Sequence, residues 1–223
     1  MANILALETT GKFCSIAVSF KGQVLKWIDS IENNHSAVLH QSILNLLKEN
    51  NIKLGAMEAV ALSAGPGSYT GLRVGSSSAK GLCLALDIPL ISVPTHKSML
   101  LTKSLNDHKS KYVLCVTDAR REDVFASLYK EDDLLHGVEV LNINELDWLE
   151  QVAGSNLSII GSGAHKIKQL GKYIPSLYVE NECLSGEQVL KVAISKYERS
   201  EFEDLANYEP RYEKEFYSTQ KIK

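Results

Sequence analysis

The sequence lacks most of the marks of a specialised chain. Its four cysteines, Cys14, Cys83, Cys115 and Cys183, form no C-x-x-C pair and sit in or beside apolar runs. That spacing argues against a zinc site and a disulfide framework, and fits reduced thiols of a cytosolic protein. No apolar run reaches the ~18 residues that a membrane-spanning helix needs. The chain opens Met1-Ala2-Asn3 and enters a strand at once, without a basic segment and apolar h-region, so the expected location is cytoplasmic. Basic charge is short as well: 24 Lys and Arg stand against 27 Asp and Glu, a net charge of -3. A protein that grips nucleic acid by itself carries a basic face, and only Arg120-Arg121 and the group Lys166, Lys168, Lys172 cluster here. Autonomous RNA or DNA binding is therefore not expected. With 44% hydrophobic and 23% charged residues, the 223-residue chain has enough apolar material for one large or two small domains.

The stretch Ser63-Ala64-Gly65-Pro66-Gly67-Ser68-Tyr69-Thr70-Gly71-Leu72-Arg73 stands out. It follows a short apolar run, Ala59 to Leu62, and precedes a run rich in small residues, Val74 to Leu86. Glycines let a backbone turn sharply and approach an anion or a partner. A P-loop would need Lys after Gly71, and a dinucleotide fingerprint would need one residue less between Gly67 and Gly71. Ordinary NTPase and Rossmann readings are therefore not expected, and a ligand loop and a purely structural turn both stay open. The helix that follows holds Gly75, Ser76, Ser77, Ser78, Ala79 and Gly81, so another backbone can come close, either within the chain or from a partner.

The order of elements repeats. Strands are expected at Asn3–Glu8, Cys14–Phe20 and Gln23–Asp29, with Lys21-Gly22 as a two-residue hairpin. A helix from Ser36 to about Asn50 carries Leu39, Ile43, Leu46 and Leu47 at helical spacing. A strand, the small-residue helix, strand Leu90–Val93 and a helix from Thr95 to about Leu105 complete the first half. After a polar, unpatterned stretch the order restarts: strands at Tyr112–Asp118, Asp123–Lys130 and Gly137–Leu141, a helix at Asn144–Ala153, strand Leu157–Ile160, a short helix, a strand at Ser176–Val179, and a last helix opened by the capping box Ser185-Gly186-Glu187-Gln188. The tail from Leu205 is expected to pack back as an extended arm. The expected domains are 1–108 and 109–223, each a mixed sheet with helices on its faces. Glu8 and Asp118 end the first strand of each half, and the cleft between the halves is a place for a nucleotide.

Other candidate sites are weak. His35 and His40 are five apart and do not share a helix face, and His96 has Leu100 four residues on, so no metal pair forms. No serine or cysteine has an evident activating partner.

Three stretches resemble the bacterial TsaB (YeaZ) family: Ile4-Leu5-Ala6-Leu7-Glu8-Thr9-Thr10 with Cys14-Ser15-Ile16-Ala17-Val18, then Gly65 to Gly75, then Asp118-Ala119-Arg120-Arg121-Glu122-Asp123-Val124-Phe125. The likeness is strong over roughly 1–130 and thin beyond. It implies two tandem actin-like, Hsp70-like ATPase (ribonuclease H-like) domains. It also implies a degenerate paralogue of TsaD, the enzyme that makes threonylcarbamoyladenosine at position 37 of tRNA. TsaD holds a metal with an H-x-x-x-H pair, of which His96 alone remains here. The resemblance thus implies a non-catalytic scaffold or activating subunit with no metal and no required cofactor, and with a nucleotide at most at the surface shared with its partner. The partners implied are TsaD, the small ATPase TsaE, a second copy when alone, and tRNA only through the complex. The implied contact residues are Ser36, Leu39, His40, Ile43 and Leu47 of the first helix, and Leu72, Arg73, Ser76, Ala79 and Lys80 of the second, beside the signature loop Gly65, Pro66, Gly67, Ser68, Tyr69, Thr70 and Gly71. The alternatives are an independent nucleotide-binding ATPase or kinase of the same superfamily, a metalloprotease, or an interaction protein for other partners.

Overall fold

The computed structural model describes residues 1–29, 35–102, 110–145, 156–171, 175, 177–179 and 184–212. Its first sheet contains β1 (Ile4–Glu8), β2 (Cys14–Phe20), β3 (Gln23–Asp29), β4 (Ala59–Ser63) and β5 (Leu90–Val93) in the order β3-β2-β1-β4-β5. The hairpin strands β1, β2 and β3 pair antiparallel, whereas β4 and β5 add in parallel on the other side of β1. The turn between β2 and β3 is Lys21-Gly22, both at positive φ, which suits the right-handed twist of the flanking strands.

The second sheet repeats this plan with β6 (Tyr112–Asp118), β7 (Asp123–Lys130), β8 (Asp133–Asn142), β9 (Leu157–Ile160) and β10 (Leu177–Val179), in the order β10-β9-β6-β7-β8. Read from β8, order and sense match the first sheet. The two halves thus share the expected plan of a mixed sheet with helices on its faces, and β8 begins earlier than the strand expected from Gly137. The helix expected at Asn144–Ala153 lies almost wholly outside the described residues.

Side-chain alternation decides what covers each face of the first sheet. Leu5 and Leu7 of β1 point to one side, with Ile16 and Val18 of β2. Helices α1 (His35–Glu49) and α2 (Tyr69–Leu86) cover that side through Leu39, Ile43, Leu46, Leu47, Ala79 and Cys83. The other side is lined by small side chains, Ala6, Ala17, Ala59 and Ala61. A helix can lie close against such a surface. A short helix, α3 (Thr95–Met99), follows β5, and α4 (Ala164–Leu170) packs Ala164 and Ile167 on the second sheet.

The last helix, α5 (Gly186–Glu198), is where the structure departs from a chain divided at 108 into two separate halves. It follows the second sheet in sequence, but packs Val189, Leu190 and Ala193 on the alanine face of the first. Gly186 makes the approach feasible, since a Cβ there would stand 2.7 Å from the Ala17 nitrogen. The capping box forms as expected, with the Ser185 amide donating to Gln188 Oε1 at 2.8 Å. Beyond α5 the chain stays on the first half. Glu203 N–H donates to Leu90 O at 2.9 Å and Arg211 N–H to Ala64 O at 3.1 Å. The expected arm is therefore present to Tyr212, and residues 213–223 lie outside the description.

Candidate functional site

The signature loop turns out to be a packing seam. The hydroxyl of its Ser68 caps α2 by accepting from the Gly71 amide. A Cβ on Gly71 would lie 1.9 Å from the carbonyl oxygen of Thr9, one on Gly75 2.4 Å from Thr9 Oγ1, and one on Gly67 2.4 Å from Thr10 Cβ. The glycines let α2 sit directly on the β1–β2 turn. Thr9 Oγ1 then donates to Gly71 O at 2.8 Å, and Ser68 N–H donates to Thr10 O at 2.9 Å. Gly65 and Pro66 are joined by a cis peptide bond and buried, with the arm's Arg211 carbonyl against Gly65. Tyr69 stacks on Tyr212 of the arm at 4.9 Å, and the exposed Arg73 guanidinium lies 4.1 Å from the Tyr69 ring centre. Of the two readings that the sequence left open, the structural one accounts for every glycine of the seam.

The helix residues expected to meet a partner separate into two groups. Leu39, Ile43, Leu47, Leu72, Ser76 and Ala79 are buried in the chain's own core. For these six the expectation of a contact face is corrected. Their helical spacing is real, but it marks the stripe that α1 and α2 turn towards the sheet. Lys80 is half-buried and donates to the carbonyls of Ala206 and Tyr208, so it holds the arm. Ser36, His40 and Arg73 are exposed. Two residues that sequence reasoning missed lie off the stripe: Leu44, 55% exposed, and Leu84, 77% exposed. An apolar residue out of phase with a helix's own core stripe is the signal that finds them.

Leu44 lies one turn beyond His40 on α1, and Leu84 shares a face of α2 with Ser77 and Gly81. Between the helices runs a groove of about 260 Å³ lined by His40, Ser77, Ser78, Gly81 and Leu82, with His40 Nε2 3.2 Å from Ser78 Oγ. The outer face of α1 and α2 is therefore a shallow groove with small residues on its floor and exposed leucines beside it.

The ionisable groups Glu8, Asp118 and His96 are each engaged within the chain. The Glu8 carboxylate is fully buried, and desolvation pushes its pKa up against the hydrogen bonds it receives. Those come from the Thr10 amide at 2.6 Å, the Thr10 hydroxyl at 2.5 Å and the Ser63 hydroxyl. Partial burial would raise the Asp118 pKa too, but the Lys166 ammonium at 2.7 Å and the Arg120 amide at 2.6 Å hold it below the usual carboxylate value. His96 is buried completely. Its Nδ1 lies 2.7 Å from Ser127 Oγ and its Nε2 3.0 Å from Thr117 Oγ1, and desolvation lowers its pKa to about 3. Both nitrogens of a neutral imidazole are thus satisfied by hydroxyls. Leu100, four residues on, is buried too. Among the described residues no group of three or more His, Cys, Asp or Glu side chains is arranged to hold a metal ion, and no helix is long and apolar enough to cross a membrane.

Comparison with known proteins agrees with this architecture. The model of the family described as TsaD, tRNA N6-adenosine threonylcarbamoyltransferase, matches residues 29–215. The chain is 31% identical over 164 residues to the tRNA threonylcarbamoyladenosine biosynthesis protein TsaB of Bacillus subtilis strain 168, covering 72% of this chain and 70% of that protein. It is 26% identical over 217 residues to TsaB of Escherichia coli strain K12, covering 94% and 93%. The solved structure of YeaZ from Pseudomonas aeruginosa superposes with a TM-score of 0.82 at 24% identity, covering 95% of this chain and all (100%) of that one. The duplicated sheets, the glycine seam between α2 and the β1–β2 turn, and these matches together place the chain in the TsaB/YeaZ family, within the wider TsaD group.

Proposed function

We propose that the chain serves tRNA threonylcarbamoyladenosine biosynthesis as a non-catalytic subunit, holding a TsaD-type transferase through the outer face of α1 and α2. The observation that carries this reading is the groove between those helices with Leu44 and Leu84 exposed beside it. Covering the two leucines would contribute about 1–2 kcal/mol each. The small floor residues Ser77 and Gly81 let a partner helix come close. The partner that fits is a paralogue with the same two-helix face, because like faces of this shape pack as a four-helix bundle. A homodimer would use the same face when the paralogue is missing.

The engaged state of Glu8, Asp118 and His96 supports the non-catalytic part of the proposal, since each already has its hydrogen-bonding partners inside the chain. In this reading the small ATPase TsaE engages the composite surface, tRNA is reached only through the complex, and any nucleotide the assembly uses sits at the subunit boundary.

The test is co-purification of Leu44→Asp and Leu84→Asp with the TsaD protein of the same source. Both positions are exposed, so the variants keep wild-type circular dichroism and thermal midpoint while losing the transferase. Retention of the transferase by the double variant would move the contact elsewhere. ATP hydrolysis or RNA modification by the purified chain alone would overturn the non-catalytic role.

A further inference from the structure

The second sheet ends in an open edge that the partner role does not use. Among the described residues β8 pairs only with β7, so its other side faces no strand. It is 10 residues long, and its first stretch, Asp133 to Gly137, is exposed throughout. An edge strand directs N–H and C=O groups outward, where an added strand can bond them.

This edge is held in place. Lys97 Nζ donates to Asp132 O at 3.0 Å, and the Glu131 amide donates to Lys111 O at 3.1 Å, so the β7–β8 turn is tied on two sides. An anchored strand loses less freedom when a segment joins it. The register against β7 shifts between Ala126 and Tyr129, which bends β8 and suits a short partner segment rather than a long one.

Its side chains are those of a contact. Leu134 is 54% exposed and Leu135 47%. Bare edges are commonly blunted by lysine, proline or very short length, and β8 has none of these.

Charge selects the occupant. The turn and β8 carry Glu131, Asp132, Asp133 and Glu139, with no lysine or arginine among residues 131–142. Lys97 meets Asp132 at 3.8 Å, whereas Asp133 and Glu139 form no ion pair among the described residues. Lys130 stands opposite Asp133 on β7, inboard of the open edge. A second copy is the poorer occupant. Two β8 strands paired antiparallel about His136 would set each Asp133 opposite a Glu139, and like charges directly opposite destabilise a pair. A basic strand meets attraction at the same two places.

We infer that the outer edge of β8 receives a short, extended, basic segment of another protein as an added strand. Its apolar side chains lie against Leu134 and Leu135, and its lysines or arginines face Asp133 and Glu139. This edge shares no residue with α1 or α2, so its occupant is separate from the transferase contact.

The experiment uses the full chain and three short probes, titrated by backbone amide NMR. They are the acetylated and amidated peptide Lys-Val-Lys-Leu-Lys-Val-Lys, the same peptide with every amide N-methylated, and its counterpart with Glu in place of Lys. The basic peptide should bind saturably, one per chain, and slow hydrogen exchange at amides of β8. The N-methylated peptide has no backbone donors and should not bind. The acidic peptide should bind at least about tenfold more weakly than the basic one. Asp133→Lys combined with Glu139→Lys should weaken the basic peptide about tenfold and reverse the preference. Leu134→Ser combined with Leu135→Ser should weaken it about fivefold and leave the thermal midpoint unchanged, since both leucines are exposed. Equal binding of the basic and acidic peptides, binding of the N-methylated one, indifference to the charge-reversed variant, or protection confined to amides outside β8 would overturn the inference. Protection of the β8 amides in the chain alone at raised concentration would assign the edge to a second copy, and would overturn it too.

Discussion

Replacing Gly71 by alanine adds one methyl group within α2, and helix propensity alone favours alanine there by about 1 kcal/mol. The tertiary contact reverses the sign. The new Cβ would stand 1.9 Å from Thr9 O, more than 1 Å inside any tolerable separation, and the neighbour is backbone. Either α2 lifts from the β1–β2 turn or the turn moves. Overpacking of this kind costs about 1–3 kcal/mol or more. Separation also strains the Thr9 Oγ1 to Gly71 O hydrogen bond, another ~1 kcal/mol. The net expectation is a loss of about 1–3 kcal/mol, which for a chain of this length lowers the thermal midpoint by about 2–12 °C. Gly81 on the same helix is the control, because a Cβ there meets nothing within 4 Å. Gly81→Ala should therefore gain up to about 1 kcal/mol, or about 2–4 °C. Calorimetry of the three proteins under one buffer decides the matter. A Gly71→Ala midpoint at or above wild type would refute the packing account of the signature loop.

The same geometry sets the other expected outcomes. Ile43→Ala, in the core stripe of α1, should lose about 2–4 kcal/mol in urea unfolding, while Leu44→Ala next to it should change stability by less than about 0.5 kcal/mol. The imidazole of His96 has its pKa lowered to about 3 in the folded chain. Unfolded, it takes a proton near pH 6.5, so stability contributed by this residue is complete above 6.5 and is lost as pH falls towards 3. Between pH 7 and pH 5 the loss should be about 2 kcal/mol relative to His96→Gln, and equal slopes in the two proteins would remove the cause. Lys166→Met should cost about 1–3 kcal/mol and raise the Asp118 pKa towards its ordinary value by carboxyl NMR titration, since Lys166 Nζ now donates to both Asp118 Oδ1 and Asp123 O.

The periodic signals translated directly into structure. Short apolar runs bounded by turn residues marked the strands of both sheets, and the helical stripe Leu39, Ile43, Leu46, Leu47 marked α1. Turn chemistry placed the Lys21-Gly22 hairpin and the Ser185 capping box. The function of the stripe was harder to see, because an amphipathic helix has the same spacing whether its apolar side meets its own sheet or another subunit. Only the off-stripe Leu44 and Leu84 separate the two cases, and they are informative once the core side is known.

Local order in this chain comes from bonds and contacts within about four residues, which is why element types, caps, hairpins and the duplicated strand order are legible in the chain alone. Three properties depended on residues far apart in sequence. Gly71 is required by Thr9, 62 residues away. The last helix belongs to the first sheet because that sheet's second face is lined with alanine and lies open to it. The cavity lined by Lys12, Thr102 and Thr117 exists because the two sheets bring three distant segments to one place. A linear pattern records which side of an element is apolar, but not which surface will cover it, and that choice was made when the two halves packed together.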